Sequence, residues 1–257
     1  MTNSIAPPSS ILVDVELPDP ERLSPALIEA LSPLRVVLLG WFEVPEQTSP
    51  AQARDQFGDE TQATLSAIAD RFEAAGIETT TRLVFTGDEL DTISRISVEE
   101  DCDAVLVPGA MDALRRVLVP LRGLENARRI APFVADLCRD ATATVTLLHI
   151  VEEGETEADS RANVLDPAAA RMRDHGLDPE LLERIPVASD DPAETIVERA
   201  GGHDLVVLGE TEPSVRDVLF GTVPERVVEA TNVPVIVVRH EDDEADAAEQ
   251  SMEAESS

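Results

Sequence analysis

Short apolar runs rich in β-branched residues alternate with longer, helix-patterned segments along most of this chain. The runs are apolar at consecutive positions, which is typical of strands buried on both faces. The longer segments repeat apolar residues at helical spacing, as at Leu65, Ile68 and Phe72, and parallel strands need such crossover connections. The alternation therefore predicts an α/β fold of parallel sheet with helices on both faces. The predicted strands are 11–15, 35–44, 79–85, 104–107, 117–121, 144–151, 185–188, 205–208 and 233–238; the predicted helices are 18–31, 51–75, 89–100, 124–138, 166–175, 193–200 and 224–230.

The second half of the chain repeats the first. Residues 11–13 (ILV) match 117–119 (VLV), and 103–107 (DAVLV) match 204–208 (DLVVL). An offset this long indicates a duplicated domain rather than a solenoid repeat. We therefore expect two tandem flavodoxin-like or Rossmann-like units packed as a pseudo-dimer. The predicted organisation is a flexible N-terminus at 1–9, a first unit at 10–112, a second at 113–240 and a disordered acidic tail at 241–257.

The two units are expected to differ at their ends. Only nine residues separate Val107 from Val117, so the first unit has no room for a final helix and strand. The last strand, 233–238, is thus present in one unit, and its edge is unpaired unless another strand covers it. An unpaired strand edge can form backbone hydrogen bonds with a strand of another chain. We therefore expect this strand to pair with its copy across a two-fold axis and form a homodimer.

Charge excludes several classes of partner. The chain has 52 acidic residues and 20 basic residues, all of them Arg, for a net charge of -32. Such a charge disfavours sequence-independent binding to nucleic acid or anionic lipid. Because 43% of the residues are hydrophobic, the chain is expected to fold, with its acidic residues on the protein surface. At roughly 1 M salt the Debye length is about 3 Å, so this composition predicts a protein adapted to a salt-rich cytoplasm; an ordinary acidic protein is the alternative.

The lengths of the apolar runs, the N-terminal sequence and the cysteine spacing suggest a cytosolic protein. The apolar runs are far shorter than the ~20 residues of a membrane helix, so no direct membrane insertion is expected. The N-terminus lacks a basic region followed by an apolar stretch, which argues against a signal peptide. Cys102 and Cys138 stand in no CxxC arrangement, and we expect both to be reduced packing residues.

Three segments of the second unit carry a family resemblance. They are the strand 117–121 (VLVPL), the strand end 147–151 (LLHIV), and the block that runs from 204–209 (DLVVLG) through Gly221 and Thr222 to 233–238 (VPVIVV). With the duplication, these segments resemble the universal stress protein family in its tandem form, over about residues 10–239. The resemblance implies a cytosolic stress-response or regulatory role.

The resemblance also implies a phosphate loop. Nucleotide-binding members carry Gly, two residues, Gly, nine residues, Gly, then Ser or Thr. Gly209 matches the first glycine, and Gly221 with Thr222 matches the final pair, although Thr222 could equally cap a helix. Glycines let backbone N–H groups approach a phosphate, and the next helix offers its N-terminus. Glu212 occupies the middle glycine position, however, and the spacer after it has eight residues.

A second implied site residue is an Asp at the end of the first strand, facing the adenosine. Arg122 holds that position in the second unit and Glu16 in the first. Three interpretations remain open for the second unit: ATP, with Mg, bound through the loop; another small anion or nucleotide held by Arg122; or a degenerate loop that only shapes a turn. The first unit retains Gly109 without the rest of the loop, so we expect it to be non-binding and structural.

No catalytic constellation is evident. The four histidines, His149, His175, His203 and His240, show no metal-ligand spacing, and no nucleophile has a neighbouring base. Trp41 and Phe42 are expected in the core, with a pocket or interface as the alternative.

The leading hypothesis is a non-enzymatic regulatory protein that acts through self-association and contains a degenerate nucleotide site. An ATP-binding switch with slow hydrolysis and a soluble regulatory subunit of a membrane transporter are the alternatives, and the regulatory partner is unknown.

Overall fold

A computed structural model describes residues 7–45, 47–151, 154–210 and 222–239. The described strands are β1 (Ser10–Leu17), β2 (Arg35–Glu43), β3 (Thr79–Thr86), β4 (Ala104–Val107), β5 (Arg116–Leu121), β6 (Thr144–Val151), β7 (Leu182–Ala188), β8 (Leu205–Gly209) and β9 (Val235–Val238). The described helices are α1 (Pro25–Ala30), α2 (Pro50–Ala74), α3 (Glu89–Glu99), α4 (Leu124–Leu137), α5 (Glu157–Ser160), α6 (Asp166–Asp174), α7 (Pro192–Ala200) and α8 (Thr222–Ala230). A π-helical turn, Arg161–Leu165, joins α5 to α6, and a 3-10 turn, Pro179–Leu181, precedes β7.

All nine strands belong to one sheet, in the order β3-β2-β1-β4-β9-β8-β5-β6-β7. Every neighbouring pair is parallel except β4 and β9, which are antiparallel. The predicted α/β fold is confirmed, and the sheet is consistent with two tandem units that meet at β4 and β9.

The expected pairing of the last strand with a second copy is wrong. β9 pairs in parallel with β8 on one side and antiparallel with β4 on the other, with Val105 opposite Val237. Because the first unit has no fifth strand of its own, the edge of β4 is open, and β9 fills it within the same chain. The outer strands of the described sheet are β3 and β7.

Gly109 lies where the two units join. A Cβ at this position would be 2.5 Å from the carbonyl carbon of Val233 and 2.6 Å from the nitrogen of Pro234. The N–H of Ala110 donates to the carbonyl oxygen of Asn232 at 2.8 Å. Gly109 therefore allows the close approach of two backbones, which is a packing role rather than the remnant of a phosphate loop.

Capping explains most helix boundaries and one wrong prediction. The sequence pattern predicts a helix at 18–31, but α1 begins at Pro25 because the Ser24 side chain accepts a hydrogen bond from the N–H of Leu27. Ser49, Asp88 and Asp191 cap α2, α3 and α7 in the same way. Helix α5 and the π-helical turn were not predicted.

The sheet separates two apolar layers. One contains Ile11, Val13 and Val15 of β1 and packs against α1, α2, α4 and α6; the other contains Leu12 and packs against α3, α7 and α8. Since side chains alternate along a strand, Asp14 and Glu16 share the face of Leu12. The carboxyl end of β1 thus presents two acids on the α3 side of the sheet.

Candidate functional site

The carboxyl ends of β5 and β8 form the candidate site in the second half of the chain. The two strands are parallel neighbours, and their crossover helices lie on opposite faces of the sheet. Ligand crevices open at such switch points. Arg122 follows β5 directly and is exposed, and Gly209 is the last residue of β8.

Asn126, in the first turn of α4, joins these two positions. Its Oδ1 accepts a hydrogen bond from the N–H of Arg122 at 3.4 Å. A Cβ at Gly209 would overlap the Asn126 amide nitrogen and lie 3.0 Å from its Cγ. Gly209 is therefore needed for close packing against α4, rather than for a turn. The sequence analysis did not predict a role for Asn126. Its position, a polar residue in the first turn of the helix that follows β5, could have suggested one.

The other predicted site residues are placed only in part. Thr222 is the first residue of α8 and is exposed, whereas Gly221 and Glu212 lie outside the described residues. The structure thus brings Arg122 and Gly209 together through Asn126. The phosphate loop itself stays a prediction.

An ion pair anchors α8. The two guanidinium nitrogens of Arg226 donate to the two carboxylate oxygens of Asp191, at 3.1 and 2.9 Å. The hydrogen bond from Arg226 lowers the pKa of Asp191, and Asp191 is also the N-cap of α7. The middle of α8 is therefore tied to the N-terminus of α7.

His149 is buried at the end of β6. Its Nδ1 lies 2.7 Å from the carbonyl oxygen of Leu121, and its Nε2 lies 3.2 Å from Glu155 Oε2. His203 likewise contacts the carbonyl oxygen of Arg199 and the hydroxyl of Thr146. Both rings are thus engaged by neighbouring oxygens, which is a packing and positioning role.

The cysteines are not activated as nucleophiles. Cys102 and Cys138 are buried and are not bonded to each other, as predicted. Burial raises the pKa of each thiol to about 12, so both are protonated near neutral pH. Within the four described ranges, no group of three His, Cys, Asp or Glu side chains is placed to hold a metal ion.

Trp41 and Phe42 separate at the end of β2. Phe42 stacks on Phe57 at 5.0 Å and lies 5.3 Å from Phe85, measured between ring centroids. Trp41 is buried on the opposite face, toward α3. Core packing is therefore confirmed for both residues: Trp41 is buried, and Phe42 is half-buried in an aromatic cluster.

Residues 113–239 match the universal stress protein family. A universal stress protein from Archaeoglobus fulgidus DSM 4304 superposes with a TM-score of 0.65 at 18% identity, covering 91% of this chain and 97% of that one. A functionally unknown protein, PA1789, from Pseudomonas aeruginosa PAO1 superposes with a TM-score of 0.58 at 16% identity, covering 96% and 98%. No curated protein shows a significant sequence match to this chain.

These findings define an α/β protein with the fold of the universal stress proteins. The match to the universal stress protein family covers residues 113–239, just under half of the chain. Among the described helices, none is both long enough and apolar enough to cross a membrane.

Proposed function

We propose that this chain is a non-enzymatic, cytosolic regulatory protein of the universal stress type, with two tandem units fused through one sheet. Its second unit holds a degenerate nucleotide site. The observation that carries the proposal is the position of Asn126, whose side chain lies between Arg122 and Gly209 at the ends of β5 and β8.

Charge near Gly209 supports a degenerate site. Glu210 follows Gly209 directly, and Glu212 stands where the family pattern has a glycine. A carboxylate about 10 Å from a phosphate repels it by roughly 1–2 kcal/mol at an effective dielectric constant near 20. The space above Gly209 is also occupied by Asn126, so a phosphate approaching that strand end must displace a side chain.

The state of the reactive side chains supports a non-enzymatic role. The imidazoles of His149 and His203 are engaged by backbone and side-chain oxygens. The thiols of Cys102 and Cys138 are buried and protonated. A thiol nucleophile needs an adjacent base or a lowered pKa, and the pKa values of these two thiols are raised instead.

One observation favours an ATP-binding switch as the second candidate. The guanidinium of Arg122 is exposed at the crevice and has no ion-pair partner in the part of the chain that the structure describes. A free guanidinium is well suited to a phosphate because it donates in a planar fork.

Calorimetric titration with ATP, with and without Mg²⁺, separates the two candidates. We expect no saturable heat at millimolar ATP in the wild type. Saturable binding that is lost in Arg122→Ala or Thr222→Ala would overturn the proposal and establish the switch. Arg128→Ala is the matched control, because Arg128 is an exposed arginine on α4 that pairs with Glu125.

Self-association is part of the proposal and must use a surface other than β9, whose edges are both paired. A dimeric mass is expected in multi-angle light scattering at high salt; a monomeric mass would contradict it.

The proposed adaptation to a salt-rich cytoplasm is tested separately, by thermal unfolding at increasing KCl concentration. With a net charge of -32, the midpoint should rise as KCl screens repulsion.

A further inference from the structure

The outer edge of β3 is open. β3 pairs with β2 on one side, and within the described ranges no strand lies on its other side. The carbonyl oxygens of Glu78 and Thr86 accept hydrogen bonds from the N–H groups of β2 and of the residue after it. Backbone groups alternate in direction along a strand. The N–H and C=O groups of Thr81, Leu83 and Phe85 therefore point away from β2, toward the open edge.

The sequence of β3 does not protect this edge. Natural edge strands are commonly kept apart from other chains by proline, lysine or a bulge. β3 is eight residues long (TTTRLVFT), contains neither proline nor lysine, and consists mostly of β-branched residues. Its one charged side chain, Arg82, is paired with Glu100 of the same chain. Such an edge is a template for pairing with another strand.

The outer strand of the second unit is blocked at the corresponding position. Gly40 of β2 lies opposite Leu83, and His149 of β6 lies opposite Pro186. Since His149 stands at the position of Gly40 in the repeat, Pro186 stands at that of Leu83. Proline has no N–H to donate, and α5 and the π-helical turn pack against β7. Of the two outer edges of the described sheet, that of β3 is thus the one without a block.

A groove runs between β3 and α2 beside the open edge. Its volume is about 530 Å³, and Thr81 and Leu83 of β3 form part of its lining. The charged residues along it are balanced, because Arg54 of α2 is accompanied by Asp59 and Arg82 is neutralised by its ion pair. In a chain with a net charge of -32, a surface of balanced charge lets two copies approach with little repulsion.

We propose that the open edge of β3 pairs antiparallel with its own copy in a second chain, so that two sheets join across a two-fold axis. This inference rests on the self-association in the proposed function and names the surface that it uses. Such an axis places one residue of β3 opposite its own copy. With Leu83 on the axis, residues 80–86 of the two strands pair, and Thr81 lies opposite Phe85 of the second copy. With Arg82 on the axis, two guanidinium groups would face each other, which is unfavourable.

A proline on the open edge tests the pairing directly. Thr81→Pro removes an outward N–H from an exposed residue and leaves the hydrogen bonds to β2 in place. Because the two-fold axis repeats the loss, we expect the dimer to be at least about tenfold weaker in sedimentation equilibrium at high KCl. Thr81→Val is the matched control, since it keeps the N–H and the branched side chain, and it should dimerise like the wild type. Circular dichroism confirms the fold of each variant.

A cysteine on the axis gives a second measurement that needs no proline. In Leu83→Cys the two thiols face each other across a hydrogen-bonded pair, with Cα atoms about 5.5 Å apart, which a disulfide can span. We expect a disulfide-linked dimer on a non-reducing gel after oxidation. Ser94→Cys, at an exposed position of α3, should give none. Cys102 and Cys138 are buried and do not compete.

The outcomes separate this inference from the proposed function. A dimer that persists unweakened in Thr81→Pro, or the absence of a disulfide-linked dimer in Leu83→Cys, would overturn the β3 interface and leave self-association through another surface standing. A monomeric wild type would overturn the interface and self-association together. The ATP titration reports on the second unit alone, so its result does not depend on β3.

Discussion

The two units pack the same strand ends differently. In the first unit, a Cβ at Gly40 would lie 2.8 Å from Leu17 and 3.0 Å from Leu65, so aliphatic side chains close the α2 side of the sheet. In the second unit, His149 stands at the position of Gly40 and Gly123 at that of Leu17. Among the described residues, no atom lies within 4 Å of a Cβ at Gly123. The position that a leucine side chain fills in the first unit is thus a glycine in the second, where Asn126 and His149 pack on the same side of the sheet instead.

The charges at these strand ends are also opposite. Glu16 and Arg122 occupy equivalent positions, and each is exposed at the end of its strand. The first unit gathers acids on the α3 face, whereas the second presents a guanidinium beside α4. The comparison teaches that two halves of one sheet can keep the same strand pattern while their strand ends carry opposite charges.

The largest expected effect tests the junction that joins the two units. Gly109→Ala places a Cβ against the backbone of residues 232–234, which cannot rotate away. We expect a loss of about 3 kcal/mol in the free energy of unfolding, typical of severe overpacking, measured by urea denaturation. Gly58→Ala is the control, because it lies inside α2 and its Cβ would make only an ordinary 3.5 Å contact with the Arg54 side chain; it should not destabilise the protein. Equal effects for the two variants would refute the close junction.

The next effect concerns the buried carboxylate of Asp14, on β1, and its dependence on pH. The folded-state pKa of Asp14, about 6, lies above its ordinary value of 3.8, so the ionised form disfavours folding. Stability therefore falls as pH rises from about 4 to 6, by up to about 3 kcal/mol. Asp14→Asn should remove this slope and stabilise the protein at pH 8 by about 2 kcal/mol. Unfolding curves at pH 4 and pH 8 measure it, and an unchanged slope would contradict burial of the Asp14 charge.

A smaller effect tests the packing of Asn126 in the second unit. Gly209→Ala should cost about 1–2 kcal/mol, because its Cβ meets a side chain that can move. Asn126→Ala in the same chain should recover most of that loss, since it empties the overlapping space. A double-mutant cycle measures the coupling. Additive losses would show that Asn126 does not fill the crevice.

The smallest effect concerns the anchoring of α8. Asp191→Asn removes the charge that meets Arg226 at the surface, and exposed ion pairs contribute little. Amide exchange in α8 should become faster at low salt, with little change in the melting temperature. The difference should disappear at high salt. Persistence of the difference at high salt would mean that capping of α7, rather than the ion pair, controls α8.

Local patterns predicted much of the fold because strand and helix periodicity is encoded in neighbouring residues. Strand β4 was predicted at its observed bounds, and the helix predicted at 89–100 corresponds to α3. The position of β9 beside β4 was not predicted, because pairing between distant strands leaves no local trace. The role of Asn126 was missed for the same reason: it depends on which residues tertiary packing brings together.

Hydrogen exchange measured by mass spectrometry, with and without millimolar ATP, tests the central claim that the nucleotide site of the second unit is degenerate. The account predicts no added protection by ATP in 116–126 or 205–210, where Asn126 occupies the space above Gly209. Added protection of those two segments by ATP would contradict the claim.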